Sequence, residues 1–280
     1  MRTRIVVMLA LLALNAVSMG AKELKGNGKI VTREITLSDD FTAIDMNRRI
    51  FGDEGGSWFS WFGFGHDRDC SFEYTQGESS GLRITIDENL YPYVQVQIKK
   101  GELSFTTKES VELSPTELKI EGCSKQLNRV KISGGIDFLL RSALSGDQLD
   151  IRASGGSDVL MKEAVRVADC EVTSSGGSDL YLTNLACRAI EASASGGSDL
   201  YLGGRAETGD LSVSGGSDVK ASDFVVKRLE CSASGGSDAY VHATDYLDAS
   251  ASGGSDVYYK GSPKMDVSSS GGSDVRKMRD

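Results

Sequence analysis

The pentapeptide Ser-Gly-Gly-Ser-Asp occupies residues 154–158 and returns six times in the second half of the chain. The seven copies begin at Ser154, Ser175, Ser195, Ser214, Ser234, Ser252 and Ser270. An imperfect copy, Ser-Gly-Gly-Ile-Asp, precedes them at residues 133–137. A short motif that recurs at a period near twenty residues indicates one structural unit stacked on itself, so this half of the chain is predicted to form a solenoid.

The residues on either side of each motif alternate between apolar and polar side chains. Before the third copy, Ala192 and Ala194 flank Ser193. After it, Leu200 and Leu202 are separated by a single tyrosine. Such alternation over four or five residues is typical of a β-strand with one buried face. Each unit is therefore predicted to contain a strand, a Gly-Gly turn and a second strand, followed by a variable stretch with room for a third.

A repeat of about 20 residues is too short for a crossover through a helix, which needs a dozen or more residues in the connection alone. It fits one coil of a parallel β-helix, in which glycines at the corners adopt backbone conformations closed to other residues. The strict hexapeptide pattern of left-handed β-helices is absent, and parallel crossovers are right-handed. We therefore predict an all-β fold, a right-handed single-stranded parallel β-helix with about 20 residues per coil.

The first half of the chain has strand patterns without the repeated turn. Val94, Val96 and Ile98, for example, alternate with polar residues. We predict irregular N-terminal coils over residues 22–132 and regular coils with motif corners over 133–280, in one continuous domain. The alternative is a small β-domain stacked on the solenoid. The first interpretation is favoured because an uncovered solenoid end invites edge-to-edge pairing.

Residues 1–21 have the features of a signal peptide. Arg2 and Arg4 form a basic start, an apolar run follows over 5–14, and small residues near Ala21 offer a cleavage site. The run is too short to span a bilayer comfortably, and no other stretch is long enough to cross a membrane. We expect an exported chain that is periplasmic, on the outer cell surface or secreted. The alternative is that this segment stops transfer and remains as an anchor.

Charge and cysteine content narrow the classes of partner. The formal net charge is −9, and an acidic surface argues against binding to nucleic acid or anionic lipid. The cysteines are Cys70, Cys123, Cys170, Cys187 and Cys231. Their number is odd and their spacing matches no metal site, so we expect them to be buried small apolar side chains. One disulfide is the alternative in an oxidising compartment.

The repeat unit at residues 194–202, Ala-Ser-Gly-Gly-Ser-Asp-Leu-Tyr-Leu, resembles that of the "putative auto-transporter adhesin, head GIN domain" family, which is common in Bacteroidetes. Residues 40–45 are similar to the opening strand of the family, and 127–137 to the entry into its repeats. The resemblance covers about 30–280. It implies a secreted or periplasmic β-helix, and it supplies no catalytic residues to transfer.

An aromatic insertion at residues 55–66 departs from the family pattern. Its aromatic residues are Trp58, Phe59, Trp61, Phe62 and Phe64. Aromatic side chains in a glycine-rich loop are suited to stacking on sugars or to contact with a protein partner. The alternative is that they form a plug over the open end of the core. We retain them as candidate contact residues.

An aspartate ends every copy of the motif, which predicts a ladder along the solenoid. Its members are Asp137, Asp158, Asp179, Asp199, Asp218, Asp238, Asp256 and Asp274. Carboxylates in coils about 4.8 Å apart repel by roughly 3.5 kcal/mol at an effective dielectric of 20. Hydrogen bonds from backbone amides, each contributing about 1.5–3 kcal/mol, offset this repulsion. We therefore predict a structural corner ladder with no cofactor; the alternative is a row of bound Ca²⁺ ions.

A tyrosine stands two residues after the aspartate in four copies, at Tyr181, Tyr201, Tyr240 and Tyr258. Stacked aromatic side chains stabilise neighbouring strands directly. They also form a candidate platform for a polysaccharide, so these four residues join the candidate contact residues.

The distribution of polar residues favours a binding protein over an enzyme. Catalytic sites need a local cluster that differs from its surroundings, whereas these carboxylates are evenly repeated. His66 and His242 lie in unrelated contexts, and no nucleophile, base and acid share a motif. We predict a non-enzymatic protein of adhesion or cell-envelope interaction, with a glycan or an envelope protein as its partner. The alternative is a carbohydrate-active β-helix enzyme of the polysaccharide lyase or hydrolase type. The sequence leaves the oligomeric state open.

Overall fold

A computed structural model describes residues 22–47, 70–108 and 111–279. It is nearly all β, with 2% helical residues, and its strands stack into a β-solenoid of about seven turns. The predicted fold class is confirmed. The predicted signal peptide and the aromatic insertion lie outside the described residues. No helix in the described part of the chain is both long and apolar enough to span a membrane.

The strands fall into an irregular and a regular series. The irregular series contains β1 (Glu23–Lys25), β2 (Ile30–Ile35), β3 (Ala43–Asn47), β4 (Cys70–Gln76), β5 (Gly81–Asp87), β6 (Val94–Lys99), β7 (Glu102–Thr107), β8 (Glu112–Ser114) and β9 (Leu118–Ser124), with a 3₁₀ turn at Tyr91–Tyr93. The regular series contains β10 (Arg129–Ser133), β11 (Asp137–Leu140), β12 (Leu144–Ser154), β13 (Val159–Met161), β14 (Val165–Ser175), β15 (Leu180–Ala186), β16 (Ala189–Ser195), β17 (Asp199–Ser214), β18 (Asp218–Ser234), β19 (Asp238–Gly253), β20 (Asp256–Lys260), β21 (Lys264–Gly271) and β22 (Asp274–Lys277).

Strand pairing in the regular series keeps each motif in register with the next copy. Ser154 pairs with Ser175 between β12 and β14, and Ser175 with Ser195 between β14 and β16. On the other side of the corner, Asp199 pairs with Asp218 and Asp218 with Asp238. All of these pairings are parallel. Equivalent positions of successive repeats therefore form continuous columns along the solenoid.

The two glycines of each motif make the corner possible. At the corner after β16, Gly196 and Gly197 have φ values of +69° and +78°, the left-handed region that favours glycine. A Cβ on Gly196 would lie 3.2 Å from the backbone nitrogen of Gly176 in the preceding coil. The first glycine is therefore needed both for the turn and for the close approach of successive corners.

The fourth residue of the motif forms a buried serine ladder at the corners. Its members are Ser157, Ser178, Ser198, Ser217, Ser237, Ser255 and Ser273. Each hydroxyl accepts a hydrogen bond from a backbone N–H of the preceding coil, as in Ser198 N to Ser217 Oγ at 3.0 Å and Ser217 N to Ser237 Oγ at 3.3 Å. Buried polar groups are tolerated when they are hydrogen-bonded, so these serines cross-link the coils inside the core.

Apolar side chains fill the interior along the whole stack. The residue after each motif aspartate is fully buried from Phe138 to Val257. At the start of the regular coils, the rings of Phe72 and Phe138 stack with centroids 6.0 Å apart, and Tyr74 packs 6.3 Å from Phe138. Burial of apolar area at about 25 cal/mol per Å² is the main force that holds successive coils together.

The N-terminal coils continue the same sheet and then close it. Strands β3 and β4 pair in parallel with β10 and β11 of the first regular coil. Beyond them, β5 is antiparallel to both β2 and β9, and β6 forms an antiparallel hairpin with β7. These antiparallel strands make the N-terminal coils irregular. These strands cover the edges of the parallel coils at this end of the solenoid.

Candidate functional site

The aspartate ladder runs along the outer side of the corners and is hydrogen-bonded from coil to coil. The backbone N–H of each aspartate donates to Oδ1 of the aspartate in the preceding coil, over distances of 2.8 to 3.4 Å. Asp199, for example, donates to Asp179 at 3.1 Å and accepts from Asp218 at 3.2 Å. The column has seven such steps from Asp137 to Asp274, so one oxygen of each carboxylate in this range, except the last, is engaged with backbone.

Two aspartates of the ladder, Asp179 and Asp256, have pKa values shifted in opposite directions. Burial raises the pKa of Asp179, and the carboxylates of Asp158 and Asp199 raise it further. The Tyr258 hydroxyl and the Asp274 amide have the opposite effect on Asp256, whose pKa they lower. Burial and neighbouring carboxylates therefore dominate at Asp179, whereas hydrogen-bond donors dominate at Asp256.

The tyrosine column lies beside the aspartate ladder, two residues further along each strand. In coil order it contains Leu139, Leu160, Tyr181, Tyr201, Lys220, Tyr240, Tyr258 and Arg276. The rings of Tyr181 and Tyr201 are 4.4 Å apart and 8° from parallel, and those of Tyr240 and Tyr258 are 4.9 Å apart and 12° from parallel. Within each pair the rings therefore use a face against each other and leave edges and hydroxyls to the outside.

Lys220 lies in register between the two tyrosine pairs and contacts Tyr201 of the first pair. Its Nζ lies 4.7 Å from the centroid of the Tyr201 ring and donates to Asp199 Oδ2 at 2.6 Å and to the Tyr201 hydroxyl at 3.0 Å. Burial of the ammonium lowers the pKa of Lys220, but the hydrogen bonds to Asp199 and Tyr201 outweigh burial and raise the pKa above its ordinary value. Lys220 is therefore a fixed cation that neutralises part of the ladder.

Tyrosine hydroxyls connect the column to the ladder. Tyr201 donates to Asp199 Oδ2 at 3.2 Å, and Tyr258 donates to Asp256 Oδ2 at 2.8 Å. The second carboxylate oxygen thus faces the column, whereas the first is used by the backbone. We call the ladder and the column together the Asp–Tyr face. It presents a carboxylate in every coil and a phenol hydroxyl beside it in the four coils that carry a tyrosine.

A second row of carboxylates lies on the strands that enter the corners. In register, these are Asp150, Glu171, Glu191, Asp210, Glu230, Asp248 and Asp266. A shallow groove of about 690 Å³ runs beside them, and its lining includes Ala189 and Gly209. Arg152 bridges Asp150 and Glu171 at 2.9 Å to each. This acidic row is a polar solvated surface whose members are alike.

The structure brings the sequence-predicted aspartates and tyrosines together on one face. It says nothing of Trp58, Phe59, Trp61, Phe62 and Phe64, which lie outside the described residues. The hydrogen bonds between tyrosine hydroxyls and aspartates did not follow from the sequence, although the spacing of two residues on one strand face was a signal for them. The ladder role of the buried serines was also missed, because a Ser-Gly-Gly-Ser turn does not show which serine points inward.

Metal ligands and thiols are the remaining candidates for chemistry in the described ranges. Within residues 22–47, 70–108 and 111–279, no three His, Cys, Asp or Glu side chains are placed to hold a metal ion. Cys170 and Cys231 are thiols buried in the core. Burial raises the pKa of the Cys231 thiol to about 12, so it remains protonated.

Comparison with solved structures finds the same fold in Parabacteroides proteins. A putative adhesin from Parabacteroides merdae is 30% identical with a TM-score of 0.81, and one from Parabacteroides distasonis is 28% identical with a TM-score of 0.80. A putative lipid-binding protein from Parabacteroides distasonis is 25% identical with a TM-score of 0.79. Each match covers 92% of this chain and 100% of the other.

The sequence was also compared with curated proteins and with protein-family models. The comparison with curated proteins found no match. The family model described as "putative auto-transporter adhesin, head GIN domain" matches twice, at residues 67–173 and 150–263, and so spans most of the regular coils and much of the irregular series. The resemblance predicted from the repeat is confirmed, and the chain belongs to this family.

Proposed function

We propose that this chain is an exported, non-enzymatic protein of adhesion or cell-envelope interaction, and that it holds a glycan along the Asp–Tyr face. The observation that carries the proposal is the repetition on that face. Successive coils present a carboxylate tied to the backbone through Oδ1, with a tyrosine or lysine beside it in five of them. A surface of this kind suits a ligand that is itself extended and repetitive.

The geometry of the tyrosines points to hydrogen bonding as the mode of contact. Stacking leaves ring edges and hydroxyls at the surface, so a sugar ring has little open aromatic face to lie on within the Tyr181–Tyr201 and Tyr240–Tyr258 pairs. Hydroxyl groups of a glycan match phenol and carboxylate oxygens, which accept and donate in turn. Because the face is acidic, a neutral glycan is favoured over an anionic one.

Two other functions receive less support. An enzyme would need one place where unlike groups meet, whereas the carboxylates of the two acidic columns recur once in each coil. One neighbour is named a putative lipid-binding protein. However, the described coils are filled by side chains from Phe41 to Val257, and such an interior leaves no room for an acyl chain.

The aromatic insertion at 55–66 stays a predicted second contact. Its tryptophans would offer the free ring faces that the tyrosine column lacks, so it would bind sugars by stacking. A Trp58→Ala, Trp61→Ala variant therefore belongs in the same binding experiment as the tyrosine variants.

The proposal is tested by binding of the purified chain to arrays of neutral and anionic glycans. The decisive variant replaces Tyr181, Tyr201, Tyr240 and Tyr258 by Phe, which keeps the stacked rings and removes only the hydroxyls. We expect binding to neutral glycans by the wild type and at least a tenfold weaker affinity in the variant, since removal of each hydrogen bond to the glycan costs about 1 kcal/mol.

Tyr246→Phe is the matched control, because Tyr246 is an exposed tyrosine in register with Arg228 on the strands that enter the corners. It should bind like the wild type. Absence of glycan binding by the wild type contradicts the proposal. Binding that survives the fourfold Phe variant but not the Trp58→Ala, Trp61→Ala variant moves the contact to the insertion.

A further inference from the structure

The C-terminal coil exposes residues whose counterparts in the preceding coil are buried. All eight residues of β21 are exposed. Met265 is 39% and Val267 is 44% exposed, although their in-register neighbours in β19, Leu247 and Ala249, are fully buried. The inward face of the last coil is therefore an apolar surface at the end of the rod.

The backbone of this coil is also open on one side. Among the described strands, β21 pairs only with β19, and β22 pairs only with β20. At the opposite end of the solenoid, antiparallel strands cover the last parallel coil. Strand β21 has no proline or bulge within it, and such a flat edge with free N–H and C=O groups is a template for another strand.

The charge of Asp266 decides whether a parallel or an antiparallel strand can pair with the open edge of β21. A further parallel coil of the same type would stack a carboxylate on Asp266, as Asp266 already stacks on Asp248. An antiparallel copy of β21 centred on Val267 avoids this, because it places Asp266 opposite Ser268. Lys264 then lies opposite Ser270, so no charge in the strand directly faces a like charge.

The same register also keeps the apolar side chains together. Side chains alternate between faces with a period of two, so pairing about Val267 sets inward residues against inward residues. Val267 meets its own counterpart, and Met265 meets Ser269 of the other copy. Of the inward residues 265, 267 and 269, Ser269 is the polar one. The equivalent serine of an earlier coil, Ser174, is buried with its hydroxyl donating to Ser178 O, so this column tolerates serine in the joined core.

We propose that two copies of this chain dock end to end through their C-terminal coils, with β21 antiparallel to β21 of the second copy about a two-fold axis at Val267. The dimer covers Met265 and Val267 and pairs the open backbone edge. It forms one rod with a closed antiparallel cap at each end. This inference stands independently of the proposed glycan contact, although a dimer would carry two Asp–Tyr faces.

The first test is the mass of the purified chain by sedimentation at concentrations from about 1 to 100 μM, the range over which a micromolar dimer assembles. The wild type should become dimeric, and Val267→Lys should remain monomeric because two ammonium groups would face each other across the axis. The matched control, Ser232→Lys, places the same charge on an exposed position in the middle of the stack and should dimerise normally.

A second variant keeps the test valid should Val267→Lys fold poorly. Directly opposite residues of an antiparallel pair have Cα atoms about 4.5–5.5 Å apart, which suits a disulfide. Under mild oxidation, Val267→Cys should give a dimer whose linked peptide, identified by mass spectrometry, joins residue 267 to itself. Ser232→Cys should not. A monomeric wild type, or a dimer unaffected by Val267→Lys and not linked through 267, overturns the proposal.

Discussion

The serine and the aspartate that end the Ser-Gly-Gly-Ser-Asp motif accept hydrogen bonds from corner amides in opposite directions along the solenoid. The buried serine accepts from the coil before it, as Ser217 does from Gly197 N at 3.1 Å and Ser198 N at 3.0 Å. The outer aspartate accepts from the coil after it, as Asp199 does from Asp218. The turn interrupts the strand ladder at this point, so the side chains replace hydrogen bonds that strands would otherwise make.

Replacing a ladder serine should cost far more stability than replacing a surface serine. Ser217→Ala leaves the buried N–H of Ser198 and the part-buried N–H of Gly197 without this acceptor, so the free energy of unfolding should fall by about 1–3 kcal/mol. Ser212→Ala, at an exposed position of the same coil, should change it by less than about 0.5 kcal/mol. Urea unfolding of the three proteins measures the difference, and equal midpoints for the two variants would contradict the ladder role.

Asp87 is the buried carboxylate that fastens the N-terminal strands. It accepts from Gly28 N, Thr116 N and Thr116 Oγ1, all at 2.7 Å. Burial acts to raise the pKa of Asp87, but the hydrogen bonds from Thr116 and Gly28 outweigh it and lower the pKa below the ordinary value of 3.8. Its ionised form is therefore bound more favourably in the folded state than in the unfolded one.

The stability that Asp87 contributes should depend on pH in one direction. A lowered folded-state pKa gives stabilisation that is complete above the unfolded value of 3.8 and is lost as the pH falls through the folded value. At pH 7, Asp87→Ala should lower the free energy of unfolding by about 2–3 kcal/mol, and Asp87→Asn by less, because its amide oxygen still accepts. Thermal melts at pH 7 and pH 3 test this, since the gap between wild type and variant should narrow at pH 3.

At the scale of the element, each corner depends on two glycines that meet different structural requirements. Gly215 has φ of +70°, and a Cβ there would lie 3.2 Å from the backbone nitrogen of Gly196. Gly216 has φ of +75° but has open space around its Cα. The first position is therefore restricted by conformation and by packing, and the second by conformation alone.

These two requirements predict an order of stability for alanine variants. Gly216→Ala should cost about 1–2 kcal/mol for the left-handed conformation, and Gly215→Ala should cost more because the Cβ also meets the neighbouring corner. Gly146→Ala is the control, since Gly146 in β12 has no positive φ and no atom within 4 Å of a built Cβ. It should be neutral or slightly stabilising. Denaturant unfolding measures the three variants. If Gly216→Ala proved less stable than Gly215→Ala, packing between corners would be unimportant.

At the scale of the whole molecule, two acidic columns run the length of the solenoid in a chain of net charge −9. The ladder offsets its repulsion through seven hydrogen bonds from backbone amides, and Lys220 and Arg276 add cations at its side. Each carboxylate from Asp137 to Asp256 therefore has a backbone donor that offsets part of the repulsion from its neighbours.

Calcium should accordingly have little effect on folding. We expect millimolar Ca²⁺ to shift the thermal midpoint by less than about 2 °C relative to NaCl at equal ionic strength, because a ligand that does not bind the folded state cannot stabilise it. The salt control is needed because screening alone weakens repulsion between exposed carboxylates. A rise in midpoint that is specific to Ca²⁺ and saturates would support the alternative of bound ions on the ladder.

The sequence by itself determined the period, the corner and the parallel coil, because each is a local property repeated at fixed spacing. Two glycines that adopt positive φ and strands of alternating burial specify one coil, and repetition then places like residues in columns. The aspartate and tyrosine columns followed from that spacing alone. The irregular N-terminal coils were expected, but the antiparallel order of β2, β5 and β9 was not, since no short motif records which strand will lie beside another.

Only the tertiary structure decided which contacts the side chains of each column make. Distances between coils show that Tyr181 and Tyr201 use their ring faces on each other, that Lys220 is held by Asp199, and that the buried serines and outer aspartates bond in opposite directions. It also shows that Met265 and Val267 have no coil above them within the described chain. These facts depend on atoms that are distant in sequence and adjacent in space, and a repeat pattern contains the order of residues but not the contacts between coils.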